Sequence, residues 1–145
     1  MPTEPQIMSI AHVIQLAVAP VFLLTGIGAM LSVLTSRLAR IVDRGRYLEG
    51  LLASIDEGES TCAAIDLAIL SRRARLINWA ISLSTTCALL ICSVIVVLFV
   101  GAFFGPDISI PIALLFVAAM SLLISALIIF LREIHLATAS LRFGR

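Results

Sequence analysis

The sequence contains no lysine; its ten basic side chains are all arginine, set against nine acids. Only 13% of residues are charged, roughly half the share of an ordinary soluble domain. A chain of 145 residues folded in water would still leave much of its surface exposed, and so few charges could not cover it. The shortage excludes a water-soluble globule. Cysteine is scarce too. Cys62, Cys87 and Cys92 are too few and too irregularly placed for a disulfide framework or a zinc site. There is no glycine-rich phosphate loop, no carboxylate pair inside an apolar run, and no serine with a base in a recognisable arrangement. The expectation is a protein that is not an enzyme and uses no cofactor and no metal.

What the sequence does contain is apolar residues, at 61%, with a mean hydropathy of +1.14. A bilayer core of about 30 Å needs about 20 consecutive apolar residues per helix. Three stretches qualify: Ile10–Leu34, Ile77–Phe103 and Ile110–Leu131. The second contains "ALLICSVIVVLFVGAFF" and the third "IPIALLFVAAMSLLISALIIFL", neither with a charge. The first is less pure, holding His12, Gln15, Pro20, Thr25, Gly26, Gly28 and Ser32. Cleaved signal peptides begin with a basic segment. Glu4 is the only charge ahead of this run, so it reads as a retained first span.

The arginines are distributed on one pattern. Seven (Arg37, Arg40, Arg44, Arg46, Arg72, Arg73 and Arg75) lie between the first and second spans. Arg132, Arg142 and Arg145 follow the third. The N-terminal segment and the short "GPDIS" connection carry none. Positively charged loops stay cytoplasmic, so the expected topology has the N-terminus outside and both the large loop and the C-terminus in the cytoplasm. His12 and His135 then lie on opposite sides of the membrane and cannot share a site.

Arg37, Arg40, Asp43 and Arg46 recur every third residue directly after the first span. Voltage-sensing arginines sit inside the spanning helix; these follow its cytoplasmic end. Residues 36–75 hold seven arginines against six acids, too balanced for a nucleic-acid grip. Arg37, Arg40, Asp43 and Arg44 therefore read as a headgroup-level anchor, and as the inner mouth if the first span lines a path.

The loop itself carries helical periodicity. Leu38, Ile41, Gly45, Leu48, Leu52 and Ile55 mark one apolar face, and Cys62, Ile65, Ile69 and Leu76 mark another after the breaker "DEGES". Asp43–Arg46 and Arg46–Glu49 are spaced to pair on the helix surface. The first span is thus expected to continue as a cytoplasmic arm, turn near Gly58, and return as a second arm into span two. The arms, over residues 36–76, should pack on each other and on neighbouring copies. The tail 132–145 should prolong the third span as a helix. Ser109 and Pro111 suit a helix start, and Trp79 suits the inner interface. No internal repeat or low-complexity linker divides residues 1–145, which read as a single all-α membrane domain.

In the first span, His12, Gln15, Thr25 or Gly26, Ser32 and Ser36 fall at three–four spacing with Ala19, Phe22 and Ala29. Pro20 leaves the Leu16 carbonyl without its helical donor. In lipid such a stripe turns toward partners. Either it packs helix against helix, or several copies bring it to a shared axis and it lines a water-filled path. Three spans are too few to enclose a path alone, so transport would require a homo-oligomer. The alternative is a scaffold whose hairpin recruits a cytoplasmic protein. The expected partners are thus the bilayer, further copies and a cytoplasmic protein, with no nucleic acid.

The stretch "IQLAVAPVFLLTGIGAMLSVLTSRLARIVDRGRYLE" resembles a bacterial family of small membrane proteins catalogued as a domain of unknown function (DUF2721). The resemblance extends through "RRARLINWAISL" and both later spans. Its most specific part runs from Gln15 to Asp43, with Ala19-Pro20 and "RLARIVDR". It implies a three-span protein of the bacterial inner membrane. It carries over no activity, ligand or catalytic residue.

Overall fold

The computed structural model describes residues 4–54, 57–104 and 109–142, with side chains for 10–54, 61–103 and 109–138. They form three helices: α1 (Glu4–Leu52), α2 (Glu57–Phe104) and α3 (Ser109–Arg142). The 49 residues of α1 would extend roughly 70 Å at 1.5 Å per residue, more than twice the ~30 Å hydrocarbon core. The 48 residues of α2 do the same. Both helices therefore continue past any membrane span, as the periodicity of the loop predicts. Each helix is long and apolar enough to cross a membrane, with mean hydropathies of 2.1, 2.8 and 2.9 in their most apolar windows. Only 17%, 17% and 11% of those windows are buried. The apolar surface points outward, which suits lipid as the surrounding solvent.

The chain divides into two compact units. One holds the chain up to Met30 together with Leu83–Ile124; the other holds Leu31–Ser82 and the chain from Ser125. In the first unit the buried positions are Ala17, Pro20 and Ile27 of α1, Ser84, Cys87, Ile91 and Val94 of α2, and Ala119 of α3. The α2 positions alternate steps of three and four, the spacing of a helix seam. α1 runs through Pro20 without a break. The buried Ser84 hydroxyl has no hydrogen-bond partner among the described residues.

In the second unit the core comprises Leu34, Ile41 and Leu48 of α1, Ile77 and Ala80 of α2, and Ala126 and Glu133 of α3. The α1 and α3 positions recur every seventh residue, the coiled-coil repeat. Small residues at such seams let backbones approach and make close van der Waals contact, the main attraction between helices in lipid.

The two arms differ from expectation in three respects. α1 ends at Leu52, followed by a turn at Ala53–Ser54, where the Ser54 amide donates to the Leu51 carbonyl at 2.9 Å. The break between the arms thus lies near Gly58, as expected, but a few residues ahead of it: Gly58 is already the second residue of α2. Second, the face of the returning arm is rotated. Cys62, Ile65 and Ile69 are exposed, although Leu76 of the expected face is half-buried, and the inward positions are Ala63, Leu67, Leu70, Ala74 and Ile77. Leu67 sits beside Gly45, its Cδ1 4.0 Å from the place a Cβ would occupy. Both faces of this segment carry apolar residues at helical spacing, so periodicity alone cannot choose between them. Third, the surface pairs Asp43–Arg46 and Arg46–Glu49 do not form; the ion pairs found among the described residues converge elsewhere. On α1 the expected face is correct: Ile41 and Leu48 are buried, and Leu38, Gly45 and Leu52 half-buried. Ile55 lies outside the described residues.

Candidate functional site

Each apolar run in the second unit ends close to a charge. Arg37 comes three residues after Leu34, Arg73 four before Ile77, and Glu133 two after Leu131. Glu133 continues the seven-residue row that includes Ala126, so its carboxylate points into the core and is 1% exposed. A lone buried carboxylate is costly unless paired and hydrogen-bonded. Here both oxygens are satisfied. Arg37 donates through Nη1 to Oε2 at 2.8 Å. Arg73 donates through Nε and Nη2 to Oε1 at 3.2 and 2.8 Å. The Arg37 guanidinium also lies over the Phe130 ring, 5.3 Å from its centroid, a favourable cation–π placement. One carboxylate thus ties α1, α2 and α3 together.

Arg40 and Ile41 complete a recess of about 190 Å³ around this cluster. A second cavity, of about 580 Å³, opens between α2 and α3 and is lined by Arg72, Leu76, Arg132, His135 and Leu136. A third, also about 580 Å³, lies between the two arms, with Ile41, Val42, Gly45, Leu67, Leu70 and Ala74 along its apolar walls and Arg46 and Glu49 at its polar margin.

The sequence-predicted residues fall into separate places. Arg37 joins the ion cluster. Arg40, Asp43 and Arg44 are exposed, with Arg44 over the Tyr47 ring at 5.4 Å. Of the α1 set, Pro20 is buried, whereas His12, Gln15, Thr25, Gly26, Ser32 and Ser36 are exposed. Thr25 satisfies its own hydroxyl by donating to the Val21 carbonyl at 3.3 Å. A Cβ added at Gly26 or Gly28 would meet no atom within 4 Å. His12 and Gln15 line a shallow hollow of about 510 Å³ with Ala11 and Ile14. The stripe is therefore not a packing face between helices of this one chain.

Glu133 was not among the sequence candidates. The signal for it is an acid placed in seven-residue register with Ala119 and Ala126, directly after an apolar run that carries no other acid. Among the described residues, no group of three or more His, Cys, Asp or Glu side chains is arranged to hold a metal ion.

The family described as "Protein of unknown function (DUF2721)" matches residues 17–143. The chain belongs to the DUF2721 family. The match takes in the stripe from Ala19 onward but not His12 and Gln15, and it includes both arms and the Arg37–Glu133–Arg73 cluster. No curated protein and no solved structure matches this DUF2721 protein.

Proposed function

We propose that this DUF2721 protein is a non-enzymatic integral protein of the bacterial inner membrane, acting as a homo-oligomer in which the outer stripe of α1 lines a small transport path. The observation that carries this reading is the exposure of His12, Gln15, Ser32 and Ser36 on a helix whose buried positions are almost wholly apolar. A helix solvated only by lipid does best with the opposite arrangement. Further copies meeting along this stripe would give Gln15 a polar neighbour or water. Gly26 and Gly28, with open space above them, would admit a close neighbour. Purified protein in liposomes should pass ions, and Gln15→Leu or Ser32→Leu should lower the flux several-fold. A Cβ at Gly26 has open space among the described residues, so Gly26→Leu should leave insertion intact and abolish the oligomer. A monomer in detergent, or no flux at any voltage or pH, sinks the reading.

The proposed orientation places the N-terminus outside and the arms and C-terminus in the cytoplasm. Every arginine from Arg37 to Arg132 belongs to the second unit, in keeping with one cytoplasmic side. Cys62 is exposed on the returning arm. A membrane-impermeant thiol reagent should label it in inverted vesicles and leave it unmodified in right-side-out cells. The reverse pattern would invert the topology.

The cavity between the arms favours a second reading, a scaffold whose hairpin binds a cytoplasmic protein. Deleting residues 45–70 would then abolish capture of that partner while leaving insertion and any ion flux unchanged. Loss of flux with insertion intact would count against the scaffold.

A further inference from the structure

We infer that the cleft between α2 and α3 is a binding site for a phosphate group, held by Arg72 and Arg132 and placed to receive the headgroup of an anionic phospholipid. It rests on neither the proposed path nor the proposed orientation. The cleft measures about 580 Å³, and its lining carries two guanidiniums and an imidazole but no carboxylate. The nearest acid in sequence, Glu133, is buried with both oxygens bonded to Arg37 and Arg73. Those bonds also set the cleft's geometry. Arg73 is joined to Glu133, and their chain neighbours Arg72 and Arg132 are thereby held in one cleft. Neither Arg72 nor Arg132 has an ion-pair partner among the described residues. His135 Nδ1 lies 2.9 Å from the Leu131 carbonyl, which can only accept, so Nδ1 donates there and the donors toward a phosphate are the two guanidiniums.

Two unpaired guanidiniums in one cleft repel each other, and a phosphate offers both of them charge-assisted, bidentate acceptors. The recess beside Arg40 is a weaker candidate, because Glu133 already neutralises part of its charge. Position distinguishes the sources of phosphate. Arg132 directly follows the apolar run ending at Leu131, and Arg72 precedes the run beginning at Ile77 by little more than one turn. That is headgroup depth, where basic pockets between spanning helices bind anionic lipids. Leu76 and Leu136 supply apolar walls suited to the glycerol and first acyl carbons.

Trp79 makes the test direct. It is the sole tryptophan, it is exposed, and it shares a helix face with Arg72 and Leu76 at steps of four and three. The full chain is placed in vesicles of phosphatidylcholine containing brominated phosphatidylglycerol or, in parallel, brominated phosphatidylcholine at the same mole fraction. Phosphatidylglycerol should quench Trp79 more strongly, with saturation. Arg72→Gln with Arg132→Gln should weaken that preference about tenfold or more, while Arg46→Gln leaves it unchanged. In detergent, calorimetry with inorganic phosphate forms the second arm. Saturable phosphate binding lost in the double variant, without a lipid preference, would keep the site and assign it to soluble phosphate. Equal quenching by both lipids together with no phosphate binding would overturn it. Both of those are read on the unaltered protein, so they decide the matter even if the double variant fails to insert.

Discussion

Glu133→Ala should destabilise this DUF2721 protein by about 3 kcal/mol, near the lower end of the cost of breaking a buried ion pair. The carboxylate is almost fully buried, whereas the side chains of Arg37 and Arg73 are 38% and 22% exposed. Part of each guanidinium can therefore turn to water or headgroups when its partner is lost, which keeps the effect from the top of the range. What remains is two like charges in one recess with Arg40 beside them. Glu133→Gln preserves the shape but not the charge, and it should recover only a minor part. The triple replacement Arg37→Met, Arg73→Leu, Glu133→Leu removes all three charges together. It should restore most of the lost stability, because a buried ionic cluster contributes little net energy over well-packed apolar side chains. The measurement is a denaturant or thermal unfolding series in a neutral detergent. Stability of Glu133→Ala within 1 kcal/mol of the parent would show that the cluster does not hold the helices.

Ala126→Leu should cost about 1–3 kcal/mol through overpacking. Ala126 is 0% exposed and stands one seven-residue step before Glu133. In lipid the gain from helix association comes mostly from close van der Waals contact, since lipid tails are as apolar as the helix face. Extra methylenes here must push α3 outward or force a strained rotamer. Displacing α3 also moves Glu133 away from its arginines. The double variant with Glu133→Ala should consequently lose less than the two single losses added together. Ile128, 54% exposed two residues along the same helix, supplies the contrast: Ile128→Ala should change stability by no more than a few tenths of a kcal/mol. If Ala126→Leu unfolds no more readily than Ile128→Ala, α3 is not seated through this row.

Three apolar runs and the confinement of arginine to the segments after the first and third runs were legible in the sequence, because hydrophobic length and charge are properties of the chain itself. So was the continuation of the first span as an arm, since Leu38, Ile41, Gly45, Leu48 and Leu52 repeat at a helical period that water could not reward without a partner. Tertiary packing decided the rest. The returning arm has apolar residues on two faces, and only contact with the rest of its unit selects Ala63, Leu67, Leu70, Ala74 and Ile77 over Cys62, Ile65 and Ile69. Residues 37, 73 and 133 meet because three helices settle into one register, and no periodicity read within a single helix contains that information. The same register leaves Arg72 and Arg132 in one cleft without a counter-charge. Local propensity and solvent preference act within a few residues of the chain, while the choice of face and of ionic partner depends on side chains brought together only by packing.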